Sequence, residues 1–204
     1  ERRHPGMTAI YVAGCGADAN PSPRGTLELV EQHGRSLAAA VDGVLATGTE
    51  LRGPLRSAFS TVTLTYAPAP GADEWRRKLD DENVFVRRHA KLMLDAIARH
   101  GQTQTSEPAP LHVLRIGALS LVAISGEVVV DYVLAIKRKF GETVWVAGYA
   151  DTVFGYLPSL RVLREGGYEG GGAMLYYGRP GPFSEDVEAT ILTGIDRLMA
   201  ETAR

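Results

Sequence analysis

The sequence predicts an α/β domain in which a mixed β-sheet is flanked by helices. Three observations carry this expectation. Apolar runs at residues 9–13, 111–116, 119–124 and 143–147 have the length of buried strands. Segments with apolar residues at helical spacing lie between them. Two of the runs are joined only by Gly117-Ala118, a tight hairpin connection, so an antiparallel pair sits among otherwise alternating elements.

In chain order, residues 9–13 end at Gly14 and read as a core strand. Residues 15–25 are dense in Gly, Pro, Asn, Asp and Ser and read as a loop. Leu27, Val30, Leu37, Val41 and Leu45 define an amphipathic helix over 26–45. Gly34 inside it weakens the helix by about 1 kcal/mol relative to alanine, which suggests close packing at that point. Phe59, Val62, Leu64 and Tyr66 alternate with Ser and Thr, a strand pattern. Residues 73–100 are helical with a break near Asp80-Asp81. Residues 101–110 hold two prolines and are expected to be an exposed loop. After the hairpin comes a helix over 128–140. Its last turn carries Lys137, Arg138 and Lys139, which complement the helix dipole, and Gly141 stops it. Residues 143–147 are a buried strand, and 151–172 are irregular except for a helical turn at 159–164. Residues 174–177 read as a short final strand. Residues 184–199 form a closing helix with Ser184 as its N-cap.

The 204 residues are 45% hydrophobic and 23% charged, which excludes a disordered or collagen-like chain and suits a single domain over 1–204. The 22 basic and 24 acidic residues lack the basic excess of a duplex nucleic-acid binder, so no nucleic-acid partner is expected. No apolar run reaches the roughly 18 residues of a transmembrane segment. Cys15 is the single cysteine, so no internal disulfide forms. The chain opens at Glu1 without methionine and runs into an apolar stretch almost at once. This suggests processing, or a fragment of a larger domain.

Three apolar runs end in polar turns: 14–21, 125–127 and 148–151. Ligands of open α/β sheets collect beyond the carboxyl ends of strands. If the three runs are parallel neighbours, Asp18, Asn20, Glu127 and Asp151 converge on one rim. Glu127 stands beside Ile124, Val128, Val129 and Val130, so its carboxylate is expected to be partly buried and to need donors, an arginine or a metal. Asp18 and Asn20 are also ordinary turn formers before Pro21. Tyr149, Tyr156, Tyr168, Tyr176 and Tyr177 read as core or rim packing. The glycines of 166–172 lack the lysine of a phosphate loop and are expected to let the backbone pass close to another segment. His33, His89 and His100 lie on polar helices and are expected to be exposed. The five histidines show no metal-ligand spacing.

Three segments together resemble the neutral/alkaline, non-lysosomal ceramidase family. Gly14-Cys15-Gly16-Ala17-Asp18-Ala19-Asn20-Pro21 is similar to the family's Gly-Asp-x-Ser-Pro-Asn segment. Ser125-Gly126-Glu127, followed by a helix with Lys137-Arg138, is similar to its Pro-Gly-Glu stretch. Gly148-Tyr149-Ala150-Asp151, Gly155-Tyr156-Leu157-Pro158-Ser159 and Gly167-Tyr168-Glu169-Gly170 resemble its Gly-x-x-Asn-x-Tyr-x-x-Tyr segment and the Tyr-Glu that follows. The interval from Tyr156 to Tyr168 is kept without a gap. The resemblance covers nearly the whole chain but only the later, C-terminal part of the family's catalytic domain.

The resemblance implies zinc-dependent hydrolysis of the amide bond of ceramide, a sphingolipid, or of a related N-acyl lipid or other amide. It makes Glu127 and Tyr156 zinc ligands and Tyr168 a group that hydrogen-bonds the reacting carbonyl. Asn20 stands where the family has serine. It can exchange hydrogen bonds with a substrate but cannot act as a nucleophile. Asp18 and Asp151 would border the substrate, with Asp151 in place of the family's asparagine. The family's other two zinc ligands are histidines from segments that would precede Glu1, so an N-terminal segment or a separate chain must supply them. The resemblance also implies a secreted or membrane-associated setting. A non-catalytic ceramidase-like binding or interaction domain is the alternative.

Overall fold

The structure, a computed structural model, describes residues 4–45, 47–48 and 50–203, so the expectations attached to Glu1 lie outside it. The elements are α1 (Leu27–Leu45), β1 (Leu55–Thr65), α2 (Ala72–Arg77), α3 (Val84–His100), β2 (Ser106–Ile116), β3 (Leu119–Ser125), β4 (Glu127–Val128), α4 (Val130–Phe140), β5 (Val144–Ala150), β6 (Tyr156–Leu157), α5 (Leu160–Glu165) and α6 (Val187–Thr202). A four-stranded sheet runs in the order β1-β2-β3-β5. Its first two pairings are antiparallel, and β3 and β5 are parallel, joined through α4. The α/β class with a mixed, helix-flanked sheet is therefore what folds. Among the described residues no helix is long and apolar enough to cross a membrane.

Strand alternation sends Leu64, Leu111, Val113, Val122, Ile124 and Val144 to one face of the sheet. There they share one core with Tyr132 and Ile136 of α4 and with Ile191, Ile195 and Leu198 of α6. Helix α6 approaches very closely: a Cβ at Gly194 would stand 2.7 Å from Leu111 Cδ1. The opposite face is uncovered among the described residues. Leu55, Phe59 and Trp145 are 67%, 58% and 60% exposed there, and Leu114 and Ile116 accompany them.

Several expectations are corrected. Residues 9–13 form no strand: among the described residues the sheet ends at β5, and Gly148 N–H bonds the Ala13 carbonyl at 3.1 Å. Ile10 and Tyr11 consequently remain largely exposed. Helix α1 forms but buries no residue, and nothing stands within 4 Å of a Cβ built on Gly34. Part of the 101–110 loop is instead the start of β2. Pro108 and Pro110 are tolerated because β3 reaches only as far as Leu111, leaving that side of β2 open where the missing N–H groups are not needed. Residues 174–177 are not a strand: Gly172–Leu175 form a 3-10 turn, closed by Ala173 N–H to Tyr168 O and Met174 N–H to Gly171 O. The last helix begins at Val187 with Asp186 as N-cap. The Ser184 hydroxyl is taken by the Thr65 carbonyl and Asp186. His89 is buried, 8% exposed, with Nε2 against the Arg179 carbonyl at 2.6 Å.

Candidate functional site

The site is built where β3 ends. After Ser125 the chain turns at Gly126 (φ 84°) and enters β4, which pairs in parallel with β6. This pairing sets Glu127 opposite Tyr156, and Glu127 N–H donates to the Gly155 carbonyl at 2.8 Å. Gly155 itself has φ 152°, and a Cβ there would lie 2.8 Å from Met174 Sδ. A side chain at this position would strain the backbone just before Tyr156 and push on the buried Met174 side chain.

The half-buried Glu127 carboxylate is surrounded by phenols. Tyr177 donates to Oε1, Tyr149 donates to Oε2 at 3.4 Å, and Tyr156 stands opposite Glu127 in the β4–β6 pair with its ring 6.4 Å from that of Tyr177. Tyr168 packs its ring on that of Tyr156, 5.3 Å between centroids, and Tyr176 lies 6.1 Å from Tyr168. Among the described residues Glu127 forms no ion pair, so of the solutions open to it the fold uses donors and not an arginine. Burial, reinforced by the Glu127 charge, pushes the Tyr156 phenol up to about 12 and raises those of Tyr149 and Tyr177. At neutral pH all three are protonated, and Tyr149 and Tyr177 donate to the carboxylate.

The turn after β5 brings Tyr149 into reach. Tyr149 and Asp151 both have positive φ, 58° and 54°, a left-handed conformation that costs a non-glycine residue about 1–2 kcal/mol. Tyr149 N–H is secured by the Gly126 carbonyl. The same turn takes Asp151 to the uncovered face of the sheet, where its Oδ2 is 2.9 Å from His112 Nε2. Asp18 accepts a hydrogen bond from Val130 N–H at 2.8 Å, satisfying a free donor in the first turn of α4. Ala17 N–H meanwhile bonds the Val128 carbonyl, so the 14–20 loop lies alongside β4. Asn20 is exposed at the end of that loop.

The predicted residues therefore fall into two groups. Glu127, Tyr156 and Tyr168 come together in one cluster. Asp18 lies along the neighbouring loop, Asn20 lies at its exposed end, and Asp151 is paired with His112. The convergence through three parallel strands is corrected to two, because residues 9–13 are outside the sheet. Tyr149 and Tyr177 were read as packing but are hydrogen-bond donors to Glu127. Their nearness in sequence to Tyr156 and Tyr168 was the only signal for them. The glycine-rich segment does let the backbone pass close to a neighbour: a Cβ at Gly171 would stand 2.7 Å from Pro182 Cβ.

Among the described residues no group of three or more His, Cys, Asp or Glu side chains could hold a metal. The cluster offers one carboxylate and neighbouring phenol oxygens. This fits part of a zinc donor set and does not complete one, since such sites take three or four protein ligands. No family model matches the chain, and no curated protein or solved structure is similar to it at a significant level.

Proposed function

We propose that this chain supplies part of the active site of a ceramidase-like zinc amidohydrolase acting on ceramide-like N-acyl lipids or a related amide. The observation that carries the reading is a half-buried carboxylate, Glu127, bonded to phenols and, among the described residues, to no basic side chain, with Tyr168 near it and 49% exposed toward solvent. Glu127 and Tyr156 would hold the metal, together with two histidines from another segment or chain. When bound, the metal would lower the pKa of a water molecule and polarise the amide carbonyl.

The remaining work falls to the protein. Tyr177 and Tyr149 hold the Glu127 carboxylate in a fixed orientation. Tyr156 would contribute its phenol oxygen as a ligand, a cation's charge opposing the burial and the Glu127 charge that raise this phenol. Tyr168, free to meet substrate, would donate to the carbonyl oxygen as charge develops there. Asn20 offers hydrogen bonds only, so the attacking group is not supplied from that position.

Zinc content tests the reading. Elemental analysis is run on the 204-residue chain and on the chain combined with a segment that provides two histidines. About one zinc per molecule only in the combined form, abolished by Glu127→Ala, is the expected result. No zinc in either form overturns it. A non-catalytic ceramidase-like interaction domain would then stand, favoured by the uncovered apolar face around Phe59 and Trp145.

A further inference from the structure

Behind the tyrosine cluster lies a buried ion pair that the chemistry above does not use. Glu107, on the part of β2 that β3 leaves open, is 7% exposed. Its carboxylate accepts from the Tyr66 hydroxyl at 2.8 Å and from Gln104 Nε2 at 2.9 Å. Its charge is met by Arg179, with Nε 3.2 Å from Oε2 and Nη2 3.4 Å from Oε1.

Arg179 does more than neutralise Glu107. Its Nε also donates to the Phe154 carbonyl at 3.1 Å, two residues before Tyr156. Its backbone is fixed on both sides: the N–H donates to Met174 O at 3.0 Å, and the carbonyl accepts from His89 Nε2. Arg179 also stands two residues after Tyr177. A single side chain thus ties the segment carrying Tyr177, whose phenol donates to Glu127, to the segment carrying Tyr156, which pairs with Glu127 and lies ring to ring with Tyr177 at 6.4 Å. The planar guanidinium can serve a carboxylate and a carbonyl together, which an ammonium on a flexible stem does poorly.

We infer that Arg179, anchored by Glu107, is a positioning residue that sets the separation of the Tyr156 and Tyr177 phenols about Glu127. The inference concerns the site of the proposed function and takes its purpose from that reading. Its test needs no metal and no substrate, so the two can fail separately.

The experiment is NMR of the 204-residue chain with 13Cζ-labelled tyrosine at neutral pH, the signals assigned by single Tyr→Phe variants. Tyr132 is the internal reference, because it is fully buried and bonds the Pro158 carbonyl, away from Arg179. In Arg179→Lys the signals of Tyr156 and Tyr177 are expected to move toward the position of free tyrosine, while Tyr132 stays in place and the thermal transition stays cooperative. Arg179→Gln should give the larger displacement of the same two signals. Unmoved Tyr156 and Tyr177 signals in a folded Arg179→Lys protein overturn the inference. So does equal movement of Tyr132, which would make Arg179 a general core residue. If Arg179→Gln does not fold, Arg179→Lys decides alone.

Discussion

Helices α1 and α6 have similar lengths, 19 and 16 residues, and both carry an apolar stripe. Helix α6 buries Val187, Ile191, Ile195, Leu198 and Met199 against the sheet, whereas Leu37, Val41 and Val44 of α1 remain 56%, 48% and 59% exposed. The difference is not one of helix propensity. Helix α6 has β1 and β2 of the sheet beneath it, whereas among the described residues α1 has no sheet beneath it and stands beside the irregular 9–12 segment. An apolar stripe states that a surface is available for burial. Whether it is buried depends on a second layer being present.

The comparison sharpens into measurements, best read as urea midpoints. Leu111→Ala removes a fully buried side chain from beneath α6 and should cost about 2–5 kcal/mol. Glu107→Ala leaves the Arg179 guanidinium without its carboxylate in a largely buried place, and about 3 kcal/mol should be lost. An unchanged midpoint in that variant would mean that the pair contributes nothing to the core side of the molecule. Ser159→Ala removes the oxygen that accepts Val162 N–H at the start of α5, and should cost about 1 kcal/mol.

A smaller effect is read as a pH dependence. Burial depresses the His89 pKa below its ordinary 6.5, so the unfolded chain binds the extra proton. The stability due to a neutral His89 is complete above pH 6.5 and falls as the pH drops below that value. Wild type should therefore lose more stability than His89→Gln between pH 8 and pH 5.5. Equal slopes would place His89 in water. The smallest change is expected for Leu37→Ala, within about 0.5 kcal/mol. A cost near that of Leu111→Ala would show α1 covered in solution and would erase the contrast between the two helices.

Most of the architecture was legible because periodicity and punctuation agree. The hairpin at Gly117-Ala118, the stop at Gly141 and the helical turn at 159–164 are local signals that tertiary packing left intact. Residues 9–13 have strand composition yet lie outside the sheet, because strand formation requires a ladder and composition reports only burial preference; Gly148 N–H bonds the Ala13 carbonyl without a ladder following. The prolines at 108 and 110 concealed a strand start, since their tolerance depends on how far the next strand extends. At the site, Glu127, Tyr156 and Tyr168 were legible through the resemblance and gather in one cluster. Tyr149 was not, because its reach toward Glu127 depends on left-handed backbone at Tyr149 and Asp151, two non-glycine positions that do not announce it. Tyr177 and Arg179 were missed because a 3-10 turn, not a strand, carries them back to β6.

The sequence by itself determined the α/β class, the positions of nearly all helices, the hairpin, and the presence of a partly buried carboxylate, Glu127, at a strand end. These follow from interactions within a few residues: alternation, helical spacing, caps and turn residues. Only the tertiary structure decided which apolar faces are covered, which phenols donate to Glu127, and that Arg179 ties their two segments together. Each of these is a contact between residues distant in the chain, and its energy depends on what the rest of the fold places opposite.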